Sequence, residues 1–122
     1  MNNTYVKFSN GKGRGVFTSI PLKKGDIIDM NYSIDIDSSY VKKIDETPIK
    51  DYYFEFPDGT VKLVLGNISL INHSLIPNIK KVWNYDNDLG HMISVFALVD
   101  LDQDVELFHN YEFDQDKMPD WT

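Results

Sequence analysis

Apolar residues recur along this chain in short runs, and none of them keeps a helical period for long. The runs fall at residues 5–8, 16–20, 27–34, 53–56, 61–65, 82–85, 92–99 and 105–108. Runs this short, bounded by polar breaks, read as strands rather than helices. The breaks carry turn chemistry: Asn10-Gly11, Lys24-Gly25-Asp26, Pro57-Asp58-Gly59-Thr60 and Asp88-Leu89-Gly90. Phe56-Pro57-Asp58-Gly59-Thr60, set between two apolar runs, is the clearest hairpin. Helix is expected only twice, as one short helix within 38–52 after Ser38-Ser39 and as a single turn over 67–71. No repeat, low-complexity tract or linker divides the 122 residues. The pattern predicts one mainly β domain spanning residues 1–122, built from many short strands.

Composition agrees with that pattern and removes several function classes. Ala97 is the only alanine, whereas Ile, Val, Tyr, Phe and Thr, which suit a pleated surface, are plentiful. There is no cysteine, so a disulfide scaffold, a thiolate zinc cluster and a cysteine nucleophile are excluded. No apolar run approaches the ~18–20 residues of a membrane span, and the first residues lack a signal-peptide core; a soluble, cytoplasmic protein without membrane contact is expected. Charge is uneven. Residues 1–85 hold eleven basic and nine acidic side chains, whereas residues 86–122 hold ten acidic ones against Lys117 alone. Such a field disfavours direct nucleic-acid binding and admits a basic polypeptide partner, although a solvated acidic face is the commoner explanation of a charge run.

Hydrolase and metal templates fail. The sequence has no G-x-S-x-G, and His73, His91 and His109 show no triad or zinc spacing. Asp100, Asp102 and Asp104 alternate as in a calcium loop, yet no helices are predicted to flank them, so no metal is expected. Three segments remain that are unusually polar or glycine-rich. Gly11-Lys12-Gly13-Arg14-Gly15-Val16-Phe17 contains the only arginine, and its glycines admit either a close ligand or a plain bend. In Leu70-Ile71-Asn72-His73-Ser74-Leu75-Ile76-Pro77-Asn78, polar groups sit between apolar neighbours; buried there, they must brace a loop or meet a polar ligand. Glu106-Leu107-Phe108-His109-Asn110-Tyr111 ends the last predicted strand.

In this order and spacing, the three segments resemble the SET domain of protein-lysine methyltransferases over most of the chain. Gly13-Arg14-Gly15-Val16-Phe17 with Lys24-Gly25-Asp26-Ile27-Ile28 is similar to the family's N-terminal signature. Asn72-His73-Ser74 with Pro77-Asn78 is similar to its N-H-S-x-x-P-N motif, and Glu106-Leu107 with Tyr111 to its closing E-L-x-x-x-Y. The small size is most similar to minimal viral and bacterial SET proteins.

The resemblance implies a SET-domain (β-clip) fold of several short-stranded sheets with a C-terminal pseudoknot. It also implies transfer of a methyl group from S-adenosylmethionine to a lysine ε-amine through a narrow channel. By that resemblance Gly13, Arg14, Gly15, Asn72 and His73 hold the cofactor, and Tyr111 is the catalytic tyrosine. Tyr52 and Tyr53 belong to the segment lining the lysine channel; strand alternation puts them on opposite sides, and Tyr52 is favoured. Phe113 is a further channel candidate, and residues 112–122, with Met118 and Trp121, would form a lid. A lysine-bearing protein such as a histone tail is the implied substrate, which would make the protein nuclear. A homodimer is expected because so small a core leaves strand edges open. The sequence departs from the family at Asp104, where a glycine is usual, and at Val105, where an acid is usual. That altered turn is the basis of the alternative, a catalytically inactive SET-like module that binds basic peptides.

Overall fold

The computed structural model describes residues 3–110, in which short strands and a few helical turns carry the regular structure. The chain opens with an antiparallel hairpin of β1 (Thr4–Ser9) and β2 (Gly13–Thr18), registered from Thr4↔Thr18 to Ser9↔Gly13. Gly11 and Gly13 both take φ near +77°, a conformation that a side chain resists, and the Lys12 amide closes the turn on the Ser9 carbonyl. The central sheet combines β3 (Ile27–Ile36), β4 (Tyr53–Glu55), β5 (Val61–Val64), β7 (Ile79–Asp86) and β8 (Gly90–Ala97) in the order β4-β5-β3-β8-β7. A third, two-stranded sheet pairs β6 (Asn72–His73) with β9 (Phe108–His109) in parallel.

The expected hairpin at Phe56–Thr60 joins β4 to β5. Asp58 Oδ1 accepts from the Thr60 amide and hydroxyl, and Gly59 supplies a φ of +88°. The β7–β8 turn is set in the same way, with Asp86 Oδ1 accepting from the amides of Asp88 and Leu89. In β3 the register to β8 shifts between Ile27 and Asp29, a bulge that leaves Ile28 fully buried in the core. Ile28 packs there with Val16, Ile68, Ile79, Ile93, Val95 and Leu107, so the core draws on the first hairpin, the central sheet and the segments that lead into the third sheet. Farther along the central sheet, Phe54 and Phe56 meet the Trp83 ring edge-on, with centroids 5.5 and 4.9 Å away. Two buried lysines flank this aromatic group. Lys62 Nζ bonds Asp35 at 2.9 Å and lies 4.9 Å from the Phe56 ring, and Lys81 Nζ lies 4.8 Å from the Phe54 ring.

The helix expected within 38–52 breaks into three pieces: a 3-10 turn at Ser38–Tyr40, one α turn (α1, Val41–Ile44) and a second 3-10 turn at Pro48–Asp51. Two causes act together. Thr47 precedes a proline and is extended, which stops propagation. None of the three pieces buries a residue, so no apolar face exists to hold a longer helix. The single turn expected near 67–71 is present as a 3-10 turn at Asn67–Leu70. Among the described residues no helix is long and apolar enough to cross a membrane.

Candidate functional site

The site begins with a seam where three stretches of chain meet. The segment around Glu106 lies along the outer edge of β2: Thr18 donates its amide to the Val105 carbonyl, Leu107 donates to Val16, and Phe17 faces Glu106. Immediately afterwards the same segment becomes β9 and runs parallel to β6, with Asn72 opposite Phe108 and His73 opposite His109. Asn78 locks the crossing with its side chain. Its Nδ2 donates to the Glu106 carbonyl at 2.9 Å and its Oδ1 accepts from the Phe108 amide at 2.8 Å, in the manner of a strand neighbour. The Ser74 amide donates to the His109 carbonyl, and its hydroxyl accepts from the Ile76 amide to tighten the loop. Mid-chain and late-chain segments are thus interlocked, as the expected pseudoknot requires.

Asn72 sits at the centre of the seam. Both hydrogens of its Nδ2 are engaged, one on the Arg14 carbonyl and one on Glu106 Oε2, each at 2.9 Å. Because both partners are acceptors, the amide orientation is fixed, and Oδ1 is the atom left to face a ligand. The other Glu106 oxygen accepts from the Ser9 hydroxyl at 2.7 Å. The carboxylate lies directly on Gly15: a Cβ at Gly15 would collide with Oε2 and come within 3.0 Å of Cδ and of Ser9 Cβ. Gly15 is therefore needed for close approach, whereas Gly13 faces open space and is needed for its φ of +76°.

Arg14 projects from this strand toward the segment before β4. Its Nη2 donates to the Tyr52 hydroxyl at 3.1 Å, and the guanidinium lies 5.9 Å from the Tyr52 ring. Tyr53 points elsewhere, its hydroxyl donating to Asp45 Oδ1 at 2.9 Å. Alternation therefore separates the two tyrosines, and Tyr52 is the one beside the glycine-rich strand. His73 joins the same region: Lys12 Nζ donates to its carbonyl at 3.2 Å, and its ring meets His109 at 5.8 Å in an edge-on contact. Gly13, Arg14, Gly15, Tyr52, Asn72 and His73 thus come together, and Tyr53 does not. Tyr111, Phe113 and the lid expected over 112–122 lie outside the described residues.

Two residues of the seam carry no signal in a linear reading. Ser9 and Thr18 act through partners far away in sequence. The buried Thr18 hydroxyl donates to the Asp102 carbonyl at 2.7 Å and accepts from the Val105 amide at 3.0 Å, organising the altered turn. Asp104 there takes φ +65°, a conformation suited to the glycine usual at this position, and its amide still donates to the Thr18 carbonyl. Its carboxylate accepts from the Tyr5 hydroxyl at 2.7 Å; that bond, then burial and the adjacent negative charge, raise the Tyr5 phenol above its ordinary pKa. The acidic stretch is thus more than a solvated face. Asp86, Asp100, Asp104 and Glu106 each hold a turn or the seam, Asp100 by accepting from the Lys24 amide.

The sequence profile of the SET domain matches residues 13–112, from the glycine-rich strand through the seam. The chain belongs to the SET-domain family. The same mainly β, curled-sheet fold recurs in solved SET structures. A candidate histone methyltransferase of Plasmodium falciparum is similar with a TM-score of 0.75 and 28% identity, covering 91% of this chain and 94% of that one. The Neurospora SET-domain protein DIM-5, a histone lysine methyltransferase, gives a TM-score of 0.70 at 21% identity, covering 88% of this chain and 51% of its own. A humanized mutant of the Chaetomium thermophilum Polycomb Repressive Complex 2 gives 0.73 at 20%, covering 88% of this chain and 14% of its own. At those lower identities the likeness shows the fold. No curated protein matches the chain.

Proposed function

We propose that this SET protein is an S-adenosylmethionine-dependent protein-lysine N-methyltransferase. The observation that carries the reading is the seam itself: Asn72 and His73 on β6, 58 and 59 positions after Arg14 in the chain, are brought to β2 by the Asn72 bond to the Arg14 carbonyl, next to a Gly15 that leaves no room for a side chain. The groups presented suit the methionine end of the cofactor. Arg14 offers a guanidinium to a carboxylate, and Asn72 Oδ1 offers an acceptor to an ammonium, because its two N–H bonds are spent on Arg14 and Glu106. When bound, S-adenosylmethionine supplies a methyl group on a positively charged sulfur.

The protein's part is alignment and control of a proton. Positioning of two reactants can lower a barrier by ~7–11 kcal/mol without acid or metal. The lysine amine must lose its proton before it can attack, and a free lysine has a pKa near ~10.4. Aromatic, poorly solvated surroundings disfavour the ammonium, and Tyr52 is the aromatic ring that stands beside Arg14. Tyr111 follows the described end of β9 by two residues, and in this reading its hydroxyl orients the amine. A histone is the first substrate to test, since the Plasmodium neighbour is a candidate histone methyltransferase, and such a substrate would place the protein in a nucleus. The same reading includes a homodimer.

The test is transfer of label from S-adenosylmethionine to histones or total-lysate proteins, read by autoradiography and mass spectrometry. Transfer is expected with the native chain and should fall at least about 10²-fold in Tyr111→Phe, the low end for a lost proton-handling group. Cofactor binding with no transfer to any protein would instead favour the alternative, a catalytically inactive SET-like module. The altered turn at Asp104 does not favour that alternative, because its backbone bond to Thr18 is intact.

A further inference from the structure

We infer that Asn10 is a site of spontaneous modification, where the side chain closes on the Gly11 nitrogen and hydrolyses to aspartate and isoaspartate, and that the isoaspartyl form loosens the seam. The inference stands on the first hairpin and its bonds to the seam and not on methyl transfer, so either can fail without the other.

Asparagine is a labile residue, and the nitrogen of the residue after it is the nucleophile within reach. Asn10 is the only asparagine of the chain that is followed by glycine. A side chain on that next residue would shield the nitrogen. Glycine has none, and a Cβ built at Gly11 would meet no atom within 4 Å. Asn10 and Gly11 are both exposed at the tip of the hairpin. Strand pairing stops at Ser9↔Gly13, and among the described residues the loop between them is closed by the Lys12 amide on the Ser9 carbonyl. A tip held this lightly opens far more often than the sheet unfolds, and opening lets Asn10 bring its side-chain carbon onto the Gly11 nitrogen.

The competing positions are protected. The amide groups of Asn3, Asn31, Asn67, Asn72 and Asn78 each donate a hydrogen bond, and each of these residues precedes a larger one than glycine. Asp58-Gly59 has the same local shape, with Gly59 at φ +88°. There Oδ1 is tied to the hydroxyl and amide of Thr60, and those bonds hold the carboxyl below its ordinary pKa. An ionised carboxylate resists attack by nitrogen; the neutral Asn10 amide does not.

In the first step the Gly11 nitrogen bonds to Asn10 Cγ, the Cγ–Nδ2 bond breaks, and Nδ2 leaves as ammonia with the proton the Gly11 nitrogen gives up. Water then opens the resulting five-membered imide. Breaking the bond from nitrogen to Cγ gives aspartate, with the main chain unchanged and one negative charge gained. Breaking the bond from nitrogen to the main-chain carbonyl carbon gives isoaspartate, whose main chain runs through the former side chain and is one carbon longer. The short loop must then shift at Ser9 or at Lys12. The Ser9 hydroxyl is bonded to Glu106 at 2.7 Å, and Lys12 Nζ to the His73 carbonyl at 3.2 Å. The lengthened link therefore pulls on two bonds that tie the hairpin to the seam.

The test holds the native chain in warm, mildly alkaline buffer and follows the tryptic peptide Phe8–Lys12, bounded by Lys7 and Lys12. Mass spectrometry should show the gain of an amide turned into an acid, in two chromatographically separate products, at least tenfold faster than at any other asparagine. The aged chain should unfold at a lower urea concentration than Asn10→Gln aged alongside it, and fresh Asn10→Asp, which carries the charge alone, should keep the native midpoint. Faster conversion at another asparagine, or conversion of Asn10 only in the urea-unfolded chain, would overturn the site. An aged chain, converted at Asn10, that is as stable as the aged Asn10→Gln variant would overturn its effect on the seam.

Discussion

The central sheet and the seam hold the molecule together by different means. In the sheet, Phe54, Phe56 and Trp83 pack edge to face and the stems of Lys62 and Lys81 are buried beside them, so shape and apolar area dominate. In the seam, Glu106, Asn72, Ser9 and Asn78 satisfy one another across 97 to 28 residues of chain, and Gly15 makes the space for it. A sheet of the first kind tolerates changes that preserve volume. A polar network of the second kind does not, because removing one member leaves a partner partly buried and unpaired. The candidate cofactor groups belong to the second region. Stability and proposed activity are therefore coupled there and largely separable in the sheet.

The largest test of that difference is Gly15→Ala. The added methyl should displace the Glu106 carboxylate and cost about 1–3 kcal/mol of stability, as overpacking does, measured by urea unfolding. Gly15→Ala/Glu106→Ala should lose less than the sum of the two single changes, since removing the carboxylate makes the room. Strict additivity would mean that Gly15 and Glu106 do not share the space described.

A smaller effect belongs to the sheet. Burial beside Phe56, then the charge of Lys62, lowers the His91 pKa below its ordinary value, while Asp35 and Asp58 oppose the shift. A histidine with a lowered folded pKa binds its proton more readily when unfolded. Its contribution is fully present above the unfolded value of ~6.5 and is lost as pH falls through that value toward the folded one. His91→Gln should flatten the decline in stability between about pH 7 and pH 5. An unchanged slope would show that the imidazole is not desolvated as the packing implies.

Strand positions, the Phe56–Thr60 hairpin and the mainly β class were legible because apolar alternation and turn residues are local signals. The segmentation of 38–52 was not, since it depends on the absence of a buried face as much as on Pro48. Tyr52 and Tyr53 were separable by alternation alone, and they do diverge, to Arg14 and to Asp45. The motif residues Gly15, Asn72 and Glu106 were visible as a pattern, but their mutual contact was not. Nothing in sequence says that a glutamate will rest on a glycine 91 positions earlier. The burial of Lys62 and Lys81 is likewise a product of the sheet, since lysine is rarely buried and nothing local marks these two.

In the proposed reading, the seam presents Asn72 Oδ1 and Arg14 to a cofactor that carries an ammonium and a carboxylate. Calorimetric titration of S-adenosylmethionine into the native chain and into Asn72→Ala tests it directly. Saturable one-to-one binding that weakens at least tenfold in the variant is predicted; a native chain that does not bind, or a variant that binds equally well, would contradict it.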